Sequence, residues 1–190
     1  MERNEIIYNI LIPSLQRLYE VDYFNISNGV SERNICARLA HHMENIMHEF
    51  VDCREYFADV EYNRKNDGTG KYGENKQKVA RPMVSDLIVH RRSEDESNLM
   101  AIEMKRWNNY DKRDSDRERL ESVVSSPKIS ERKKDCVYDT SLGAFIIYSP
   151  TKLNIELYEK DIYGRGQKSG ELSYVFDGAI QRLIDNSRNF

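Results

Sequence analysis

Two short apolar stretches carry ionisable residues at a spacing suited to chemistry on a phosphate: Ser85-Asp86-Leu87-Ile88-Val89-His90 and Leu99-Met100-Ala101-Ile102-Glu103-Met104-Lys105. The polar segment Ser93-Glu94-Asp95-Glu96-Ser97-Asn98 separates them. If it turns between Glu94 and Asp95, the two stretches form a hairpin in which Asp86 faces Glu103, with Cβ atoms roughly 4.5 to 5.5 Å apart. Alternation adds Lys105 to that face and sends Leu87, Val89, Ile102 and Met104 to the other. Two facing carboxylates repel each other, which raises one pKa and weakens the sheet unless a cation neutralises them. Oxygen donors so arranged suit Mg²⁺ or Mn²⁺, ions that keep several waters and bind phosphate oxygens. Lys105 could orient or deprotonate a water and offset charge growing on a phosphoryl group. Those are the parts of phosphodiester hydrolysis. The plainer alternative is an exposed hairpin with an ordinary Glu-x-Lys surface pair.

The elements that must position these residues read as follows. Asn4 to Glu20 has apolar residues at Ile7, Ile10, Leu11, Leu15 and Leu18, a helical spacing that Pro13 could interrupt. Ser31 stands as an N-cap before a long amphipathic helix ending near Phe50. A helical wheel puts Leu39, Met43, Ile46 and Phe50 in one stripe flanked by Ile35 and Cys36, with Glu32 at its centre. Either the helix dipole draws the Glu32 carboxylate there or it serves an inward-facing site. Tyr56 to Arg64, Val84 to Arg91 and Leu99 to Lys105 read as strands. Asp111 to Val124 reads as a weakly amphipathic helix, closed by Ser125-Ser126-Pro127. The apolar run Leu142 to Tyr148 has the look of a strand covered on both faces, and a further strand near Asn154 to Tyr158 and a terminal helix near Gly178 to Ser187 complete the pattern. The expected fold class is α/β, a mixed central sheet flanked by helices, in one domain over 1–190.

With Asp86 in one strand, Glu103 and Lys105 in the next and Glu32 on an upstream helix, the chain resembles the PD-(D/E)XK nuclease superfamily over roughly Ser31 to Tyr148. The order is a helix with Ser-Glu-Arg, a strand with Glu-Tyr-Asn-Arg, a strand with Asp and a strand with Glu-x-Lys. Ser85 replaces the Pro of the family name, a backbone preference rather than a ligand. The resemblance implies a restriction-endonuclease-like α-β-β-β-α-β core and a metal-dependent nuclease, with DNA favoured over RNA. Asp86 and Glu103 would hold Mg²⁺ (or Mn²⁺), Glu32 would complete its shell directly or through water, and Lys105 would position the nucleophile. The helix after Glu-x-Lys would lie beside the site, bringing Asp116, Arg117, Glu118 and Arg119 near it without saying which points inward. A homodimer is compatible with this reading, and the rival is a catalytically inactive nuclease-fold subunit for binding or assembly.

Composition bounds the partners. The 190 residues are 39% hydrophobic and 32% charged, with a net charge of -3, so any nucleic-acid surface has to be built locally. Arg64 to Arg81 holds six basic and two acidic residues. Arg64, Lys65, Lys78 and Arg81 are the candidates for phosphate contact, although a solvated loop would look the same. Lys128, Arg132, Lys133 and Lys134 form a second basic cluster. Trp107 and Tyr110 could stack on bases or pack against the next helix. Uncharged runs such as Ile6 to Gln16, 11 residues, fall well short of the roughly 20 of a membrane span, so no membrane association is expected. Cys36, Cys53 and Cys136 form no Cys-x-x-Cys pair, which together with an N-terminus unlike a signal peptide points to the cytoplasm. His41 and His42 are adjacent and diverge on a helix, which makes them poor joint ligands. Gly68-Thr69-Gly70-Lys71 lacks the context of a phosphate loop.

Overall fold

The computed structural model describes residues 2–62, 72–74, 80–82, 84–92, 98–125 and 140–186. The first helical run comprises α1 (Arg3–Glu5), a π-helical stretch (Ile6–Leu11) and α2 (Ile12–Val21). Pro13 sits in the first turn of α2, where its missing N–H costs least. The widened turn upstream and the Ser14 hydroxyl, which donates to the Ile10 carbonyl at 2.6 Å, carry the helix past it without a break.

Two further helices, α3 (Tyr23–Ser27) and α4 (Glu32–Met47), follow. Gly29, at a φ of +70°, makes the bend between them. Ser31 caps α4, its side chain accepting the Asn34 N–H at 3.3 Å. The buried face of α4 is Ile35, Cys36, Leu39, Ala40, His42, Met43 and Met47. This is rotated from the expected stripe, because Ile46 and Phe50 are only half-buried.

The strands are β1 (Phe57–Val60), β2 (Tyr72–Glu74), β3 (Ala80–Pro82), β4 (Leu87–His90), β5 (Asn98–Arg106), β6 (Thr140–Tyr148), β7 (Lys152–Lys160), β8 (Gly166–Asp177) and β9 (Arg182–Asp185), with α5 (Arg113–Val124) between β5 and β6. Seven of them form one sheet in the order β1-β4-β5-β6-β7-β8-β9, while β2 and β3 form a separate ribbon. Among the described residues only the β5 and β6 pairing is parallel in the large sheet, and α5 belongs to the crossover that such a pair requires. The chain is therefore mixed α/β, with a seven-stranded mixed sheet and helices.

Alternation divides the sheet into two faces. Leu87, Val89, Met100, Ile102, Met104, Leu142, Ala144 and Ile146 pack with the N-terminal helices. Ile88, Ala101, Phe145 and Tyr158 pack with Leu120, Val123 and Val124 of α5.

The expected terminal helix near Gly178 to Ser187 is instead a hairpin from β8 into β9. Asp177 accepts the Ala179 N–H at 2.8 Å to make the turn. Leu183 then packs on the core while Ile184 is exposed, a two-residue period that a helix could not supply. The Leu183 N–H is taken by the Gln16 side chain at 2.7 Å, which ties the hairpin to α2. Among the described residues no helix is long and apolar enough to cross a membrane.

Candidate functional site

The site lies where β4 begins and β5 ends. Pairing runs Leu87 with Ile102, Ile88 with Ala101 and Val89 with Met100, the register the hairpin reading requires, but shifts by one between Val89 and His90, which pairs with Asn98 instead of Leu99. Continued by one residue, it sets Asp86 opposite Glu103. The Asp86 carboxylate accepts the Met104 N–H at 2.8 Å, which pins it to β5. Its carbonyl takes the Glu61 N–H at 3.1 Å, holding Glu61 at a left-handed φ of 52° just past β1.

Glu103 is fully buried on the α5 side of the sheet. Arg119 grips it through both ends of its fork, Nε to Oε1 at 2.6 Å and Nη2 to Oε2 at 3.0 Å. The same Nη2 donates to the buried Asp116 carboxylate. The other oxygen of Asp116 lies 3.3 Å from the Lys105 ammonium, which is 3.6 Å from Glu32. Glu32 reaches the strand end from the first turn of α4, and its Oε1 accepts the Arg106 N–H and the Asn109 amide, both at 2.9 Å. Asp86, Glu103, Lys105 and Glu32 are thus brought together. The Arg106 side chain fills the space left by Gly29, where a β-carbon would collide with its guanidinium.

Four carboxylates here face two cations, Lys105 and Arg119. Burial is the main force on Glu103, and with the nearby Asp86 and Asp116 charges it overrides Arg119, pushing the carboxyl up to about 8. Burial also raises Asp86, with Asp116 adding to it, against the Met104 N–H and the Lys105 charge. Burial works against the Lys105 charge, yet Asp116, Asp86 and Glu32 outweigh it and raise its pKa. Lys105 therefore stays an ammonium at neutral pH, which suits orienting a water or countering phosphate charge and does not suit deprotonation.

Beside Asp86 opens a cavity of about 180 Å³ lined by Glu32, Arg33, Cys36, Val60, Glu61 and Asp86. An Arg33 to Glu61 ion pair of 3.0 Å belongs to its rim. Burial and the Asp86, Glu103 and Glu32 charges push the Cys36 thiol up, so it is a poor nucleophile.

The donor set fits a hard divalent cation in kind: carboxylate oxygens. Among the described residues, however, no three His, Cys, Asp or Glu side chains form a ready metal cluster. Glu32 is turned to backbone and Asn109, and Glu103 is held by Arg119.

Of the charged residues expected beside the site on α5, Asp116 and Arg119 point inward, whereas Arg117 turns to Glu156 on β7. The signal was the spacing of Asp116, Arg119, Leu120 and Val123 along one helix face. Asn109 and Arg113 escaped the sequence reading. Arg113 donates to the carbonyls of Asn109, Trp107 and Arg106 and so holds the turn between β5 and α5. Trp107 and Tyr110 are largely exposed, and the Arg113 guanidinium lies 4.3 Å from the Tyr110 ring centre. His42 is buried against Asp22 at 2.7 Å while His41 is exposed, so the two diverge as expected. Arg64, Lys65, Lys78, the Gly68 to Lys71 segment and the cluster from Lys128 to Lys134 lie outside the described residues, and of Arg81 only the backbone, in β3, is described. No family model matches the chain, and no curated protein matches it.

Proposed function

We propose that this chain is a metal-dependent nuclease of the PD-(D/E)XK type, hydrolysing phosphodiester bonds in DNA. The observation that carries the reading is the Asp86 carboxylate pinned to the Met104 N–H of β5, between Glu103 and Lys105, with Lys105 beside Asp116 and Glu32. The sequential order α4, β1, β4, β5, α5, β6, with β5 and β6 parallel, supports the restriction-endonuclease-like core. Asp86 and Glu103 would hold Mg²⁺ or Mn²⁺, with Glu32 in support. Such an ion, when bound, supplies positive charge for the phosphate and lowers the pKa of a water. The Lys105 ammonium, aimed by Asp116 and Glu32, donates to the attacking water and pairs with charge that grows on the phosphoryl oxygens. Asn109 and the Arg106 N–H fix Glu32, so the lysine has one preferred direction. Arg64, Lys65, Lys78 and Arg81 are proposed to contact the phosphate backbone, and Trp107 and Tyr110 offer exposed rings near the strand end.

The test is cleavage of supercoiled plasmid, linear duplex and single-stranded RNA in Mg²⁺ and in Mn²⁺, with Glu103→Gln as control. Metal-dependent cleavage lost in the variant is the expected result, with DNA cut in preference to RNA. No cleavage of any substrate, together with no Mn²⁺ binding, overturns the proposal. The grip of Arg119 on Glu103 favours a second reading, a nuclease-fold subunit that binds or assembles without cutting. Under that reading the chain binds no divalent ion, and calorimetric titration with Mn²⁺ separates the two.

A further inference from the structure

Two arginines of α5 make the same kind of contact and sit in different surroundings. Arg117 forks Glu156 with Nε and Nη2 both at 2.9 Å. Its guanidinium lies 4.8 Å from the Phe145 ring centre, and the Tyr158 hydroxyl donates to the same carboxylate at 2.8 Å. Asp114 at 3.2 Å from Arg117 and Lys168 at 3.9 Å from Glu156 add one charge of each sign, so that contact stays balanced.

Arg119 forks Glu103 at the bottom of the site, where Asp86 and Asp116 add negative charge. Its side chain keeps 28% of its surface in contact with solvent while Glu103 keeps none. The guanidinium thus lies between the Glu103 carboxyl and solvent and occupies both of its oxygens, the atoms a divalent ion held by Glu103 would need.

We propose that Arg119 is a displaceable internal cap: it occupies both Glu103 oxygens in the metal-free protein, and divalent-ion binding at Asp86 and Glu103 drives it off that carboxyl group while Asp116 retains it. The proposal rests on the metal-binding reading above and extends it by naming the group that must move. The ion and the guanidinium compete for the same oxygens. Metal affinity is therefore lowered by the free energy of the fork.

The experiment follows the Arg side-chain Nε–H signals by ¹H–¹⁵N NMR in the full chain as Mg²⁺ is added, with binding measured in parallel by calorimetry. Arg119→Lys and Arg117→Lys assign the two resonances. The expected result is that Mg²⁺ shifts the Arg119 Nε–H and speeds its exchange with water, while the Arg117 signal stays in place. Because a lysine cannot fork both Glu103 oxygens, Arg119→Lys should also bind Mg²⁺ about tenfold or more tightly. If Mg²⁺ binds and the Arg119 signal does not change, or if Arg119→Lys weakens Mg²⁺ binding, the displacement is wrong and the metal site stands. If calorimetry shows no Mg²⁺ binding at all, the metal reading itself fails and the displacement fails with it.

Discussion

Arg117 to Glu156 and Arg119 to Glu103 are two ion pairs built from one helix and one sheet, two residues apart, with nearly the same fork geometry. Burial acts on both carboxyls, yet at Glu156 the Arg117 and Tyr158 hydrogen bonds prevail and the pKa falls. At Glu103 burial prevails, with Asp86 and Asp116 adding to it, and the pKa rises to about 8. The difference lies in the neighbours. Glu156 has Arg117, the Tyr158 hydroxyl, Lys168 at 3.9 Å and some solvent, whereas Glu103 is sealed and has other acids nearby. An ion pair of the first kind holds α5 on β7. At the second, burial and the neighbouring acids favour the protonated carboxyl at neutral pH, so a cation that binds there has to displace the proton.

The largest effect should come from removing the conflict itself. Glu103→Gln and Asp86→Asn are expected to lower cleavage by on the order of 10³-fold, with the fold intact and no less stable without metal. Melts with and without Mg²⁺, run beside a plasmid assay, check this. A variant that still cuts at the wild-type rate would break the assigned contrast between a working carboxylate and a structural one.

Lys105→Ala comes next, with about 10²-fold or more lost from turnover and Mn²⁺ affinity little changed, because a protonated lysine is no metal ligand. Single-turnover rates beside Mn²⁺ titration separate the two quantities; equal losses in both would make Lys105 a structural brace. Glu32→Gln, which keeps the acceptor for Arg106 and Asn109 but drops the charge beside Lys105, should weaken Mn²⁺ binding about tenfold and slow cleavage moderately. The same titration reads it.

The smallest effect belongs to the other bridge. Glu156→Gln should leave cleavage unchanged and cost about 2 kcal/mol of stability at neutral pH. Since the folded pKa of Glu156 lies below its ordinary value, its contribution is complete above that ordinary value and is lost as pH falls through the folded one. Wild type and Glu156→Gln should thus converge in urea melts at acidic pH. Glu103 has the opposite sign: its folded pKa is raised, so the metal-free protein gains on protonation and loses stability as pH rises from the ordinary carboxylate range toward 8. Urea melts across that range should show the loss in wild type and its absence in Glu103→Gln.

Much of the site was legible in the amino-acid sequence because a strand's alternation is a local property. The pairing of Leu87 with Ile102 and the shared face of Glu103 and Lys105 follow from alternation, while the register shift between Val89 and His90 does not follow from where the turn was placed. The Ser31 cap and the start of α4 are local in the same way. The C-terminal hairpin was not, since Arg182 to Asp185 becomes a strand only through pairing with β8 and contact with Gln16 of α2. Nor was the choice between Arg117 and Arg119. The helix that carries them is weakly amphipathic, and its rotation is decided by Leu120, Val123 and Val124 seating on Phe145 and Ile88. The sequence by itself determined which acids share a sheet face. Tertiary structure alone decided which cation meets them and how deeply they are buried, because both depend on packing between elements far apart in the chain.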